Sequence, residues 1–194
     1  MGLAERVIAL VEPHPGVREI RLVGSRAEGR ANERSDWDFM VDASDFTAVT
    51  DALPRLVEPL DPLVQQWDRL SLEHCWMLML HGPTKVDLIF PHEPHALEPP
   101  WKVSAETLDG IEAHFWDWML WLSSKDATGK HEVVTAELRK LFDHILAPIG
   151  VDHPPSSIAQ AVAAYREGRA RAEHRLGVAV SRDLETAIAS SLCR

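Results

Sequence analysis

An α+β fold is predicted for this chain: an N-terminal half of strands with flanking helices, residues 1–98, followed by a helical half, residues 99–194. Three observations carry this expectation. Up to about Pro91, short apolar runs of strand length alternate with short helical ones. A proline-rich stretch, Pro91 to Pro100, then interrupts the pattern. Beyond it, apolar residues recur every three or four positions, the period of helices that pack on one another.

Each element has its own local reason. Leu3 to Val11 reads as a helix stopped by the Pro13 and Pro15 region. Val17 to Val23 is a strand running into Gly24, and Trp37 to Val41 is a second strand. Ser44 or Asp45 can cap a helix that runs to about Leu53 and is ended by Pro54. Leu63 to Leu70 reads as a further strand. Cys75 to Leu80 and Lys85 to Phe90 are two more, joined across His81-Gly82-Pro83-Thr84, which is hairpin-like turn chemistry. In the second half, Ile111, Phe115, Trp118, Met119 and Leu122 form an apolar helix stripe, and Val134, Leu138, Leu141, Phe142 and Ile145 repeat that spacing. Ser156 or Ser157 caps a third helix with Ile158, Ala161, Val162 and Tyr165 on one face. Gly177 ends it, and Asp183 to Leu192 forms a last short helix.

Composition narrows the function classes. With 194 residues, 45% of them hydrophobic, the chain can build one ordinary domain or two small ones. Two cysteines far apart, Cys75 and Cys193, read as reduced thiols rather than as a disulfide framework. Glu5 and Arg6 interrupt the apolar N-terminal run, which is therefore no signal peptide. No run approaches the roughly 20 apolar residues of a membrane span, so a cytoplasmic protein without a membrane partner is expected. The net charge of −10 is concentrated in residues 1–98, where 9 basic and 17 acidic residues leave −8. Such a surface repels phosphate backbones and releases no counterions, which argues against a long nucleic-acid partner. It would draw a cationic small molecule.

One constellation carries chemistry. Ile20 to Val23 is an apolar strand ending in Gly24-Ser25; a short polar connection follows, and the second strand opens with Asp36-Trp37-Asp38. Side chains alternate along a strand, so Asp36 and Asp38 share one face while Trp37 and Phe39 take the other. Adjacent carboxylates repel unless a cation lies between them. Mg²⁺ suits such a pair, because it takes oxygen ligands from one or two carboxylates and from substrate phosphates. Asp87 stands in the middle of the apolar strand Lys85 to Phe90, and a buried carboxylate there needs a partner or a metal. It shares a face with Lys85 and Ile89. If that strand lies beside Trp37 to Val41, three carboxylates meet, enough for two metals about 4 Å apart. Gly24 lets the backbone approach a phosphate, Ser25 adds a hydroxyl donor, and Arg26 is the basic residue best placed for a triphosphate.

The run Gly24-Ser25-Arg26-Ala27-x-Gly29 followed by Ser35-Asp36-x-Asp38 resembles the signature of the DNA polymerase β-like nucleotidyltransferase superfamily. It is most similar to the small bacterial members, the aminoglycoside nucleotidyltransferases and the minimal nucleotidyltransferases. The match covers about Ile20 to Phe90, and the helical remainder resembles the C-terminal bundle of the antibiotic-modifying members in layout. The resemblance implies a mixed-sheet catalytic domain with Gly24 and Ser25 on the phosphates of an NTP. It also implies metal ligation by Asp36 and Asp38, with Asp87 as third carboxylate. The expected reaction is transfer of a nucleoside monophosphate, with ATP as the family's commonest donor, to an acceptor hydroxyl, with Mg²⁺ required and pyrophosphate released. Glu28 departs from the basic or aromatic residue many small members carry, at a position that is usually exposed.

Several alternatives stand beside this reading. Asp87 doubles as a candidate general base, ahead of Glu137 and Glu112 on expected solvated helix faces. Lys130, Arg139 and Lys140 are weaker phosphate candidates than Arg26. His92, Glu93 and His95 lack the ligand spacing of a zinc site. An antitoxin-type partner of a helical toxin is the rival class, but such proteins are little more than the catalytic half. The other rivals are weaker still: the three acids speak against a degenerate nucleotide-binding module. In a haloacid-dehalogenase-type phosphatase the first Asp ends an apolar strand, whereas here Ala31-Asn32-Glu33-Arg34-Ser35 precedes Asp36. The acceptor is open among an aminoglycoside, a lincosamide, another small hydroxylated compound and a protein side chain. Exposed tryptophan among Trp116, Trp118 and Trp121 would suit a homodimer that completes the acceptor pocket.

Overall fold

Leu3–Val11 forms helix α1, and the chain reverses through Gly16 into strand β1, Val17–Val23. This computed structural model describes residues 1–32, 35–82 and 84–192; the expectations that involve Glu33, Arg34, Pro83 and Cys193 fall on residues outside that set. After β1 come a single helical turn, α2 (Gly24–Ala27), and strand β2 (Trp37–Ala43), two residues longer than the apolar run foretold. Helix α3 (Phe46–Leu56) is capped by Asp45, whose carboxylate accepts the Ala48 N–H at 3.0 Å. Pro54 does not end α3, contrary to expectation: it lies in the last turn, where the lost N–H leaves only one carbonyl without its helical donor. Strands β3 (Pro62–Trp67), β4 (His74–Leu80) and β5 (Thr84–Phe90) complete this half.

Among the described residues, the five strands form one mixed sheet in the order β1-β2-β5-β4-β3. Only β2 and β5 run parallel; the other neighbours are antiparallel. The last strand made is therefore central. One face of the sheet packs under α1 and α3, with Phe39, Val41, Leu78, Val86, Leu88 and Phe90 meeting Val7, Val11, Val49 and Leu53. The alternation of side chains then commits Asp38, Lys85 and Asp87 to the other face. Cys75 is buried in β4 on that second face, beside Met77 and Met79 in the alternation.

The chain divides into two compact units, residues 1–98 and 99–194. In the second, helix α4 (Leu108–Ala127) packs against α5 (His131–Leu141), α6 (Ile158–Leu176) and α7 (Asp183–Leu192). A π turn, Phe142–Leu146, continues α5. Ser157 caps α6 by accepting the Gln160 N–H, and Gly177 ends it at φ +68°. An amphipathic stripe was expected on α4, but the helix is buried on every side. Its Glu112, His114, Asp117 and Ser123 are enclosed along with its apolar residues. Trp116 and Trp118 are likewise buried rather than available for a dimer contact, and Trp121 is half-buried under Lys125. Among the described residues, no helix is long and apolar enough to cross a membrane.

Candidate active site

The parallel pairing of β2 with β5 sets Asp38 directly across from Asp87, and β1 places Val23 on the other side of Asp38. Asp36 precedes β2 rather than belonging to it. Each of Asp36, Asp38 and Asp87 offers one carboxylate oxygen, and these three oxygens lie within 4.8 Å of one another. Among the described residues this is the only group of three or more His, Cys, Asp or Glu side chains close enough to share an ion. Asp36 and Asp38 are half-buried and Asp87 is buried. An all-oxygen set of carboxylates fits a hard cation such as Mg²⁺.

Gly24 abuts this cluster. A Cβ there would come within 2.5 Å of Asp38 Oδ2, and the residue adopts a φ of +67°. Both facts reserve the position for glycine. Ser25 is the second residue of the α2 turn and is half-buried; its carbonyl accepts the Arg30 N–H. Glu28 is exposed and paired with Arg30, as a surface position should be.

Arg26 has a different first task from the one its place in the motif suggests. Its Nε donates to the carbonyls of Ser35 and Asp36 at 3.0 and 3.1 Å, and Nη2 donates to Ser35. The guanidinium lies over Trp37, 4.0 Å from the ring centroid. Arg26 therefore staples the segment that carries Asp36. Burial lowers its pKa, and the charges of Asp36 and Asp38 oppose that shift without cancelling it.

Lys85 had no assigned role in the sequence, although its place two residues before Asp87 on the same face was legible. It is buried, with Nζ 3.2 Å from Asp87 Oδ2. A cation thus already stands against the third carboxylate. In the helical unit, Glu112 is not on a solvated face: it is buried and accepts hydrogen bonds from Trp116, Tyr165 and Arg169. Glu137 accepts from Trp118 Nε1 and Lys140. Both carboxylates are engaged within their own unit. Lys130, Arg139 and Lys140 are exposed, the last two in ion pairs. His92 and His95 part company: His92 flanks Glu19 and Asp42, while His95 packs against His74.

No protein-family model matches the chain. No curated protein matches it either. Among solved structures it is similar to an aminoglycoside 6-adenyltransferase from Bacillus subtilis, at 10% identity, with 97% of this chain and 95% of that chain covered and a TM-score of 0.33. A superposition this loose carries no argument, so the functional reading rests on the residues alone.

Proposed function

We propose that the chain is a nucleotidyltransferase that moves a nucleoside monophosphate, with ATP as the donor of first choice, onto a hydroxyl of a small acceptor. The observation that carries this reading is the convergence of Asp36, Asp38 and Asp87 within 4.8 Å, beside a glycine whose missing Cβ leaves room for the Asp38 carboxylate. Asp36 and Asp38 would hold the metal on which the triphosphate rests, with Asp87 as the shared third ligand. Bound there, Mg²⁺ neutralises phosphate charge and makes the acceptor hydroxyl easier to deprotonate. Gly24 and Ser25 let the main chain approach the phosphates, and Arg26 fixes the segment bearing Asp36 and would lend its charge to the triphosphate. Positioning and charge account for most of phosphoryl-transfer catalysis, so no covalent intermediate with the protein is called for. Asp87 is the candidate base for the acceptor proton. The acidic balance of residues 1–98 favours a cationic acceptor, and an aminoglycoside-like antibiotic has that chemistry.

The test is calorimetric titration of Mg²⁺–ATP, and of the other NTPs in turn, into the wild type and an Asp36→Asn/Asp38→Asn double variant. Metal-dependent binding by the wild type, weakened at least about a hundredfold in a folded double variant, is the expected result. Equal binding by both proteins would remove these acids from the donor site.

A further inference from the structure

The N-terminal unit holds a second constellation that nucleotidyl transfer leaves unused. A cavity of about 480 Å³ opens beside the start of α3, between the end of β3 and the segment after β5. That volume lies in the range of small-molecule sites. The register places it away from the three acids. Trp67 pairs with Trp76, and His74 pairs with Phe90, so both lie on the helix-covered face of the sheet, opposite Asp38 and Asp87.

Its walls are rings. Phe46 and Trp67 have centroids 6.1 Å apart, His74 lies 5.1 Å from Phe46 and 5.6 Å from Trp67, and His95 lies 4.7 Å from His74. The two imidazoles are fixed in their tautomers by main-chain carbonyls. His74 Nε2 is 2.8 Å from the Pro94 oxygen, and His95 Nδ1 is 2.7 Å from the Ser71 oxygen. A carbonyl only accepts, so each of these nitrogens carries the hydrogen. In the neutral rings, Nδ1 of His74 and Nε2 of His95 are then bare lone pairs. Glu98 lines the same cavity with a carboxylate that Arg69 holds at 2.8 Å. Aromatic walls and fixed acceptors describe the complement of a positively charged donor.

We propose that this cavity binds an organic cation: a protonated amine carried on an apolar body. The ammonium group would donate to the two imidazole nitrogens and face the rings, and the apolar body would lie against Trp67 and Phe46. A transition metal is the weaker fit, because among the described residues no third His, Cys, Asp or Glu completes a set around the two histidines.

The test uses 2-phenylethylamine and 2-phenylethanol, which share a ring and chain length but differ in charge. Each is titrated into the full chain while the imidazole signals of His74 and His95 are followed by NMR. The expected result is that the amine moves both sets of signals and binds about tenfold or more tightly than the alcohol. In a His95→Phe variant, which keeps an aromatic wall but removes one lone pair, the amine should lose several-fold in affinity and the alcohol should be unaffected. The comparison of the two probes on the unaltered protein stands even if the variant fails to fold. Equal binding of both probes, binding of neither, or signals moved by Zn²⁺ alone would each overturn the proposal.

Discussion

A Cβ at Gly24 would press on the carboxylate oxygen of Asp38, and the residue's positive φ independently disfavours any side chain. The neighbouring atom is the end of a side chain that can swing aside, so the two costs separate. Gly24→Ala should lower stability by about 1–2 kcal/mol through the backbone alone. Donor binding should fall further, by more than about tenfold, because the displaced Asp38 leaves its partners. Thermal melts read beside calorimetry on the same variant measure the two effects; unchanged nucleotide binding would count against Asp38 as a ligand. Much at this scale was legible in the sequence. The Gly-Ser turn and the Asp-x-Asp pair were visible from their spacing, although Asp36 stands just before β2 rather than on it, and Asp87 was marked by being a carboxylate in an apolar strand. The staple made by Arg26 was not, because it depends on where two carbonyls point. Nor was the contact between Lys85 and Asp87, since side-chain reach is settled by packing.

Asp45 shows how one side chain sets the position of an element. Its bond to the Ala48 N–H begins α3, the helix that covers the sheet and supplies Phe46 to the aromatic cavity. Asp45→Ala should cost about 1 kcal/mol, and amide hydrogen exchange in the first turn of α3 should quicken about fivefold. No change in exchange there would mean that packing, not the cap, fixes the helix start. Apolar period and breakers placed most elements closely: α1, β1 and α7 agree with the expected limits residue for residue. The misses have physical causes. Pro54 was tolerated because a helix can lose one bond in its last turn, and α4 hid its burial because polar residues on its outer face are enclosed too. Strand order was beyond reach, since the parallel join of β2 to β5 is a tertiary choice on which the meeting of Asp38 and Asp87 depends.

The helical unit is held by charge as well as by apolar packing. Glu112 on α4, Arg169 on α6 and Glu185 on α7 form a continuous chain, with Arg169 Nη1 2.7 Å from Glu112 Oε1 and Arg169 Nη2 2.6 Å from Glu185 Oε2. Tyr165 donates to Glu112, and burial, then the Glu112 charge, pushes its hydroxyl pKa well above the ordinary range. Burial alone would raise the pKa of Glu185, but Arg169 and then Arg166 more than offset it and hold the carboxyl below its ordinary 4.5. A carboxyl depressed in the folded state adds stability above its unfolded pKa and loses it as pH falls through the folded one. The helical unit should therefore weaken progressively below about pH 4.5. Glu185→Gln, which leaves Arg169 its bonds to Glu112, should cost about 1–2 kcal/mol near neutrality and make that acid decline shallower. Circular dichroism melts across the pH range test this; an unchanged acid slope would assign the decline to other carboxylates.

Parallel pairing also orders events in time. Strands β3, β4 and β5 are neighbours in sequence and can zip together as a meander, and β1 can meet β2 across a short connection. Joining the two pieces closes the loop from Ala43 to Thr84, and contacts across such a separation form late. That late joint is the one that brings Asp87 to Asp38. A nascent or half-folded chain therefore carries each acid without the cluster, and the proposed nucleotide site is completed only with that long-range step of the sheet.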